Sequence, residues 1–294
     1  MEHLLRTPLY PIYEEYGAKV VDFAGWALPL QYEGIVQEHH AVRKTAGLFD
    51  VSHMGELEVT GSDAVFFLDH LLTNHISKLK DGQVQYAVMV NEMGGILDDV
   101  LVYRLGGHRY WIIANASNRR KDFEWMKKHT EGYRVKIEDL SGQIAQFALQ
   151  GPKAADILKD AAGDEAEQIR FFKFAESLKI NGIDCLVSRT GYTGEDGFEL
   201  YFKPEHAIPL WKFLLETGRE YDLKPARLGC RDTLRFEACL PLYGHELNED
   251  ITPLEAGLGW TVKLDKPDFI GKEALLTQKE NGIPRKIIGF EMKE

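Results

Sequence analysis

Two stretches of this chain decide how it must fold: Glu58-Val59-Thr60-Gly61-Ser62-Asp63-Ala64-Val65-Phe66-Phe67-Leu68 and Ala148-Leu149-Gln150-Gly151-Pro152-Lys153-Ala154-Ala155-Asp156-Ile157-Leu158. Each runs strand, glycine, helix, and Gly61, Ala64 and Leu68 stand 90 residues before Gly151, Ala154 and Leu158. Ser62 suits a helix N-cap, and Pro152 suits a first helical turn. Ala64, Phe67, Leu68, Leu71 and Leu72 trace the stripe of a helix lying on a core. Two related α+β lobes are implied, with chance recurrence of common motifs as the alternative.

Working outward, 84–91 and 96–104 read as strands joined by Asn91-Glu92-Met93-Gly94-Gly95, and Gly106-Gly107 turns the chain into a strand at 109–114. Ser117 then caps a helix to about 128. The second lobe repeats the mixture, with strands near 143–150, 177–181, 183–189 and 197–203 and Asn181-Gly182 as a hairpin turn. Helices are expected over about 208–221 and 231–239. Strands that meet through tight turns make largely antiparallel sheets, hence α+β and not a doubly wound sheet.

With 294 residues the chain can build one large or two ordinary domains. Lys+Arg 35 against Asp+Glu 46 leaves a net charge of −11, which repels a phosphate backbone and argues against nucleic acid. The one basic run, Arg119, Arg120, Lys121, Lys127 and Lys128, is diluted by Asp122 and Glu124 and reads as a solvated helix face. Cys185, Cys230 and Cys239 are too scattered for a disulfide framework or zinc site and suit a reducing compartment. Met1-Glu2-His3-Leu4-Leu5-Arg6 has neither a signal-peptide nor a transit composition, and no apolar stretch is long enough to span a bilayer. A cytoplasmic protein is expected.

Several segments could carry chemistry. Arg189-Thr190-Gly191-Tyr192-Thr193-Gly194-Glu195-Asp196-Gly197-Phe198-Glu199 crowds glycines and acids after an apolar strand. It is either a loop whose backbone approaches a ligand or a tight hairpin with solvated acids. Asp98-Asp99 opens a strand, so one carboxylate points inward and the other outward. An inward one must be paired or functional because isolated burial is costly; a turn aspartate bonding its own backbone is the alternative. Phe49-Asp50-Val51-Ser52-His53-Met54-Gly55-Glu56 lacks a nucleophile turn, and His39, His40 and His53 lack metal-ligand spacing. No nucleotide-binding fingerprint occurs. Arg231, near a helix start, opposes the macrodipole preference and calls for an anionic or hydrogen-bonding partner. Glycine recurs beside aromatics in Leu240-Pro241-Leu242-Tyr243-Gly244 and Gly257-Leu258-Gly259-Trp260, as a flat ligand would need.

Taken together, these segments resemble the aminomethyltransferase (T-protein) of the glycine cleavage system. The resemblance is carried by Arg6 to Tyr10, Phe23-Ala24-Gly25-Trp26, Phe49 to Glu56, Gly94 to Asp99, Leu149 to Pro152, Gly191 to Gly197, Arg231 to Arg235 and Thr252 to Gly259, in family order over almost the whole chain. It implies two lobes around a central folate cleft and then a small C-terminal β-barrel. On that reading 1–265 is the folate-binding module, with lobes of approximately 50–140 and 141–265 and with 1–49 packing against the second. Residues 266–294 would be a linker and the first strand of an apparently truncated barrel. The resemblance also implies the reaction: an aminomethyl group arrives on the lipoyl arm of the H-protein, tetrahydrofolate takes the carbon, and ammonia leaves. Asp99 is then the essential carboxylate and Asp98 its outward neighbour. Glu199 holds the pterin, Arg231 helps hold the folate, and Met54, Tyr86, Tyr103, Asn115 and Tyr192 line the pocket. His75 departs from the family's usual acid, outside that site. With only one barrel strand present, the 294 residues are expected to fold but to bind folate weakly.

Two other readings stay open. One is a folate-dependent demethylase or the folate domain of an amine oxidase, which takes its carbon from another donor. The other is a non-catalytic folate-binding protein of iron–sulfur assembly, for which Gly229-Cys230-Arg231 is a superficial echo.

Overall fold

The computed structural model describes residues 3–293; Met1, Glu2 and Glu294, which enter the readings of the two ends, lie outside them. A hairpin of β1 (Lys19–Phe23) and β2 (Trp26–Gln31) precedes α1 (Ile35–Lys44), β3 (Gly47–Asp50), β4 (Gly55–Thr60) and α2 (Ala64–Leu71). A meander of β5 (Gln83–Val90), β6 (Ile96–Gly106) and β7 (Arg109–Ala114) leads to α3 (Arg119–Lys128) and β8 (Lys136–Asp139). The plan then recurs: β9 (Ala145–Gln150), α4 (Ala154–Ala162), and a meander of β10 (Phe174–Ile180), β11 (Ile183–Ser188) and β12 (Gly197–Phe202). After it come α5 (Ala207–Thr217), the short β13 (Lys224–Pro225), α6 (Leu228–Glu237) and α7 (Lys272–Asn281).

One sheet has the order β5-β6-β7-β4-β8 and another β10-β11-β12-β9-β3-β13. In both, the last strand of a meander pairs with the strand that precedes the glycine and helix. The strands beside β9 and β4 are exchanged in sequence: β3 comes just before β4 but pairs antiparallel with β9, while β8 comes just before β9 and pairs antiparallel with β4. The β10–β11, β11–β12, β12–β9 and β6–β7 ladders are also antiparallel, whereas the two-residue β13–β3 contact is parallel. The fold is therefore α+β with largely antiparallel sheets, and among the described residues no barrel closes.

The chain divides into two compact units. The first takes the residues up to Glu56, 82–84 and 140–240; the second takes 57–81, 85–139 and the residues from Pro241 onward. In the first, Leu48, Phe147, Leu149, Val187 and Leu200 of the sheet bury against Ile157 and Leu158 of α4 and Leu210, Trp211 and Leu214 of α5. In the second, Leu57, Val59, Val100, Val102 and Ile112 bury against Phe67, Leu68 and Leu71 of α2 and Met126 of α3. The apolar stripe read from α2 is the face that does this, as its spacing requires. Among the described residues no helix is long and apolar enough to cross a membrane.

The repeat read from sequence is a repeat of backbone conformation. Gly61 has φ +134° and Gly151 φ +132°. A Cβ on Gly61 would sit 2.1 Å from Arg134 O, and one on Gly151 would sit 2.5 Å from Thr45 O. Only glycine turns the chain this way at such close approach. The carbonyl of each glycine then accepts the N–H of the helix's first residue, Ala64 or Ala154, both at 3.0 Å. Ser62 and Pro152 lie in that turn and not in the helix. The caps are Asp63 and Lys153, neither making a side-chain capping bond. Asp63 is drawn away to accept from Arg134 N (2.9 Å) and Nε (3.0 Å).

Three other expectations need correction. The helix expected at 208–221 ends at Thr217 and continues only as a 3-10 turn; that expected at 231–239 begins earlier, at Leu228. The strand expected from Arg285 is absent, since 285–293 have no regular structure and Ile287 N–H instead donates to Glu255 O at 3.2 Å. A strand needs a neighbouring edge, and no described segment supplies one here.

The helix α2 ends in the second unit against a buried cation. Lys266 is 2% exposed, and its Nζ donates to the carbonyls of Asp69, Leu72 (2.6 Å) and Asn74 (2.9 Å). These carbonyls have no partner further along the helix, and a cation there also meets the negative end of the macrodipole. Replacing Lys266 with Met keeps the stem and removes all three bonds. We expect Lys266→Met to destabilise the protein by about 3 kcal/mol, read as a lower urea midpoint; an unchanged midpoint would contradict the capping role.

Candidate active site

The strand β6 places Asp98 and Asp99 on opposite faces, as alternation demands. Asp98 shares its face with Val100 and Val102 and is fully buried; Asp99 is partly exposed, on the face of Leu101 and Tyr103. The expected assignment of Asp98 as the outward residue is thus reversed. Asp98 is tied down by α3 and the turn before it: Asn118 Nδ2 donates to Oδ1 at 2.5 Å, Asn115 Nδ2 to Oδ1 at 2.9 Å, and Asn115 N to Oδ2 at 3.0 Å. Asn115 Nδ2 also lies 3.0 Å from Asp99 Oδ1, and Tyr86 Oη donates to Asp99 Oδ2 at 3.0 Å. Tyr86 in turn stacks on Trp260 with ring centroids 5.6 Å apart.

Asp99 is therefore held by two donors yet lies beside a second carboxylate. Burial first, and then the charge of Asp98, push its carboxyl up to about 7 against the pull of Tyr86 and Asn115. Such a group changes charge near neutral pH, the property expected of a reacting carboxylate. Of the residues expected near it, Tyr86 and Asn115 are brought into contact. Tyr103 is buried two pairs further along the same face, opposite Trp111 of β7.

The first unit carries a second polar cluster, on β9, β12 and the loop before it. Glu199 accepts from Gln146 Nε2 at 2.9 Å and from Thr190 Oγ1 in a very short contact. Gln146 Nε2 also reaches Tyr201 Oη at 3.1 Å, whereas Gln146 Oε1 is buried with no hydrogen-bond partner among the described residues. Burial raises the carboxyl of Glu199, while Thr190, Arg231 and Gln146 restrain the shift. The guanidinium of Arg231 lies 4.6 Å from the centre of the Tyr192 ring, the stacked cation–π arrangement. The partner that Arg231 needs near the start of α6 is therefore Tyr192, together with the field of Glu199. Met54 packs beside the same helix, against the cluster of Cys230 and Leu234.

The glycines of the 191–197 loop have a different use from the one expected. A Cβ on Gly191 would lie 1.9 Å from Gln150 Oε1, and one on Gly197 would lie 2.4 Å from Gln150 Nε2 and 2.6 Å from Leu149 O. The loop is wound around the buried Gln150 amide, which donates to Thr190 O at 3.1 Å and accepts from Thr193 Oγ1 at 2.9 Å. Its acids are not left to water. Arg189 pairs with Asp196 through Nε and Nη2 at 2.9 and 2.5 Å, and Arg43 Nη1 meets Glu195 at 3.0 Å. The loop's rigidity presents Tyr192 and Thr190.

Sequence reasoning missed Asn118, Asp122, Gln146, Thr190 and Trp260. Asp122 was legible only as a charge on a solvated face, yet it is fully buried. Asn118 and Asp122 are one helical turn apart, so they share a face. Among the described residues no group of three or more His, Cys, Asp or Glu could hold a metal ion.

Two outcomes follow from this geometry. Gly197→Ala should lower stability by about 2 kcal/mol through overpacking against Gln150 and the Leu149 carbonyl, seen as a reduced urea midpoint. Asp99 ionises near 3.8 when unfolded and near 7 when folded, so the native state binds the extra proton between these values. Its contribution to stability is present below about pH 4 and is lost as pH rises through about 7. Asp99→Asn should accordingly raise the melting temperature more at about pH 8 than at about pH 4; a gain independent of pH would refute the raised ionisation.

Residues 9–266 match the model of the GCVT N-terminal domain. An aminomethyltransferase of Caldanaerobacter subterraneus subsp. tengcongensis is 59% identical over 292 residues, covering 99% of this chain and 78% of that protein. One from Desulfitobacterium hafniense is 54% identical, covering 100% of this chain and 80% of its own length. The glycine cleavage system aminomethyltransferase T of Bartonella henselae superposes with a TM-score of 0.88 at 39% identity, over 95% of this chain and 76% of that one. A heterotetrameric sarcosine oxidase from Corynebacterium sp. U-96 has a TM-score of 0.50 at 16% identity, a likeness of fold alone. The chain belongs to the GCVT N-terminal domain family.

Proposed function

We propose that this chain is an aminomethyltransferase of glycine degradation: it moves the one-carbon unit of an aminomethyl group from a lipoyl arm to tetrahydrofolate, releasing ammonia and giving 5,10-methylene-tetrahydrofolate. The lipoyl arm is that of the H-protein of the glycine cleavage system, the partner of this reaction. The observation that carries the reading is Asp99, a carboxylate oriented by Tyr86 and Asn115 and held near neutrality by burial and Asp98. The relatives' shared name, at 52 to 59% identity, supports it.

Tetrahydrofolate, when bound, supplies the nitrogens that accept the carbon. Loss of ammonia from an aminomethyl thioether develops positive charge at that carbon, and the ionised carboxylate of Asp99 stabilises it. Tyr86 and Asn115 fix the orientation of that carboxylate, which removes the cost of reorganising it during reaction. The cluster around Glu199 suits the pterin. A pterin edge carries an amino group and a ring N–H, both donors, while Glu199 and the orphaned Gln146 Oε1 are buried acceptors. Arg231 and Tyr192 add a cation and a flat ring and Met54 gives apolar lining beside them, while Tyr103 gives apolar lining on the face of Asp99.

The iron–sulfur reading asks for an available thiol at Cys230. That thiol is fully buried, donates to Arg227 O at 3.1 Å, and is pushed up by burial, so it is a poor ligand or nucleophile. The three cysteines are all free, which suits action in a reducing cytoplasm.

Ammonia release from an aminomethylated lipoyl carrier, with tetrahydrofolate present, tests the reading. Asp99→Asn should lower turnover about 100- to 1000-fold, and wild-type kcat/KM should rise with pH through an apparent pKa of about 7 as Asp99 ionises. Turnover surviving in the Asn variant would sink the proposal.

A further inference from the structure

Asp122 has no part in the chemistry described so far, and its setting is unusual. It lies in the first turn of α3, fully buried, and neither carboxyl oxygen meets an N–H or O–H donor among the described residues. Its backbone N–H donates to Asn118 O at 2.8 Å, which places the two side chains one turn apart on the face that meets β6. Asn118 reaches Asp98 from that face, and the carboxyl of Asp122, one turn further on, lies beside the same Asp98.

Two carboxyl groups in contact in a dry site cannot both be anions. The proton belongs on the one with fewer donors. Asp98 accepts three N–H donors from Asn115 and Asn118, while Asp122 accepts none. The N-terminus of α3 adds positive potential beside Asp98.

We propose that Asp122 is a positioning residue for the transfer reaction: its carboxyl O–H donates to Asp98, and the Asp98 carboxylate so fixed holds Asn115, which in turn orients Asp99. The chain of contacts is continuous, because Asn115 Nδ2 lies 2.9 Å from Asp98 Oδ1 and 3.0 Å from Asp99 Oδ1. Burial, and then the charge of Asp98, raise the carboxyl of Asp122 strongly, in keeping with this arrangement. The other charged or titratable groups around it do not supply the missing donor. Lys121 on α3 is engaged by Tyr243 (2.8 Å) and Glu249 (3.3 Å), Arg119 is paired with Asp139 (2.8 Å), and Tyr86 on β5 donates to Asp99.

The inference rests on the reading of Asp99 as the reacting carboxylate, and two measurements separate their failures. Infrared difference spectra at about pH 8 between wild type and Asp122→Asn should show loss of one protonated-carboxyl C=O band. The same band should persist in Asp99→Asn. If no band is lost, the proposal falls, whatever Asp99 does.

In the ammonia-release assay, Asp122→Asn can still donate to Asp98 through its amide and should stay within about 3-fold of wild type. Asp122→Ala should lose about 10- to 100-fold in kcat. Equal losses in the two variants would overturn the proposal. Full turnover in Asp99→Asn with the infrared band behaving as stated would instead overturn the catalytic reading of Asp99, and with it the role of Asp122 in the reaction, while leaving the Asp122–Asp98 hydrogen bond.

Discussion

Everything in the second unit's polar site depends on one geometric fact: adjacent residues of a strand face opposite ways. Two consecutive aspartates on β6 therefore meet two different environments. Asp98 enters the helix-covered side of the sheet, where a lone carboxylate would be costly. The cost is offset by three N–H donors at 2.5 to 3.0 Å, all from the segment that starts α3. Asp99 takes the other face, keeps some exposure, and is oriented by the same Asn115 that satisfies its neighbour. The buried charge thus raises the carboxyl of Asp99 and also anchors the group that aims it.

Close backbone approach is the second constraint, and glycine serves it at two levels. Gly61 and Gly151 let a strand turn into a helix against a neighbouring carbonyl, the same device in each half of the repeat. Gly191 and Gly197 let a loop wrap the amide of Gln150. That loop looks like a ligand cradle because glycine-rich composition reports only that something comes close. Here a side chain of the protein does so, and the function of the loop lies in what its rigidity presents.

The sites also show how partner identity sets chemistry. Arg231 is at once cation, stacking surface and counter-charge to Glu199, through Tyr192 at 4.6 Å and the field that restrains the Glu199 carboxyl. Cys230, one residue earlier on α6, faces the core and is inert. A single step along a helix separates the group that meets Tyr192 from a packing group, since successive residues point about 100° apart.

The sequence by itself determined the α+β class, the two meanders with their tight turns, the helical stripe of α2, the internal repeat and the family. The structural features rest on local periodicity and on glycine positions, which are written in consecutive residues, and the family rests on its motifs standing in order along the chain. The resemblance to that family is what singled out Asp99, Glu199, Arg231, Tyr192, Tyr86 and Asn115. Only the tertiary structure decided that Asp98 is the buried partner, that Asp122 is buried although its run reads as a charged surface face, and that Gln146 and Thr190 surround Glu199. It also decided that Asp63 leaves its cap for Arg134. Most of the deciding contacts join residues far apart in sequence, such as Gln146 and Glu199 at a separation of 53, and no local pattern records which distant donor a polar side chain will meet.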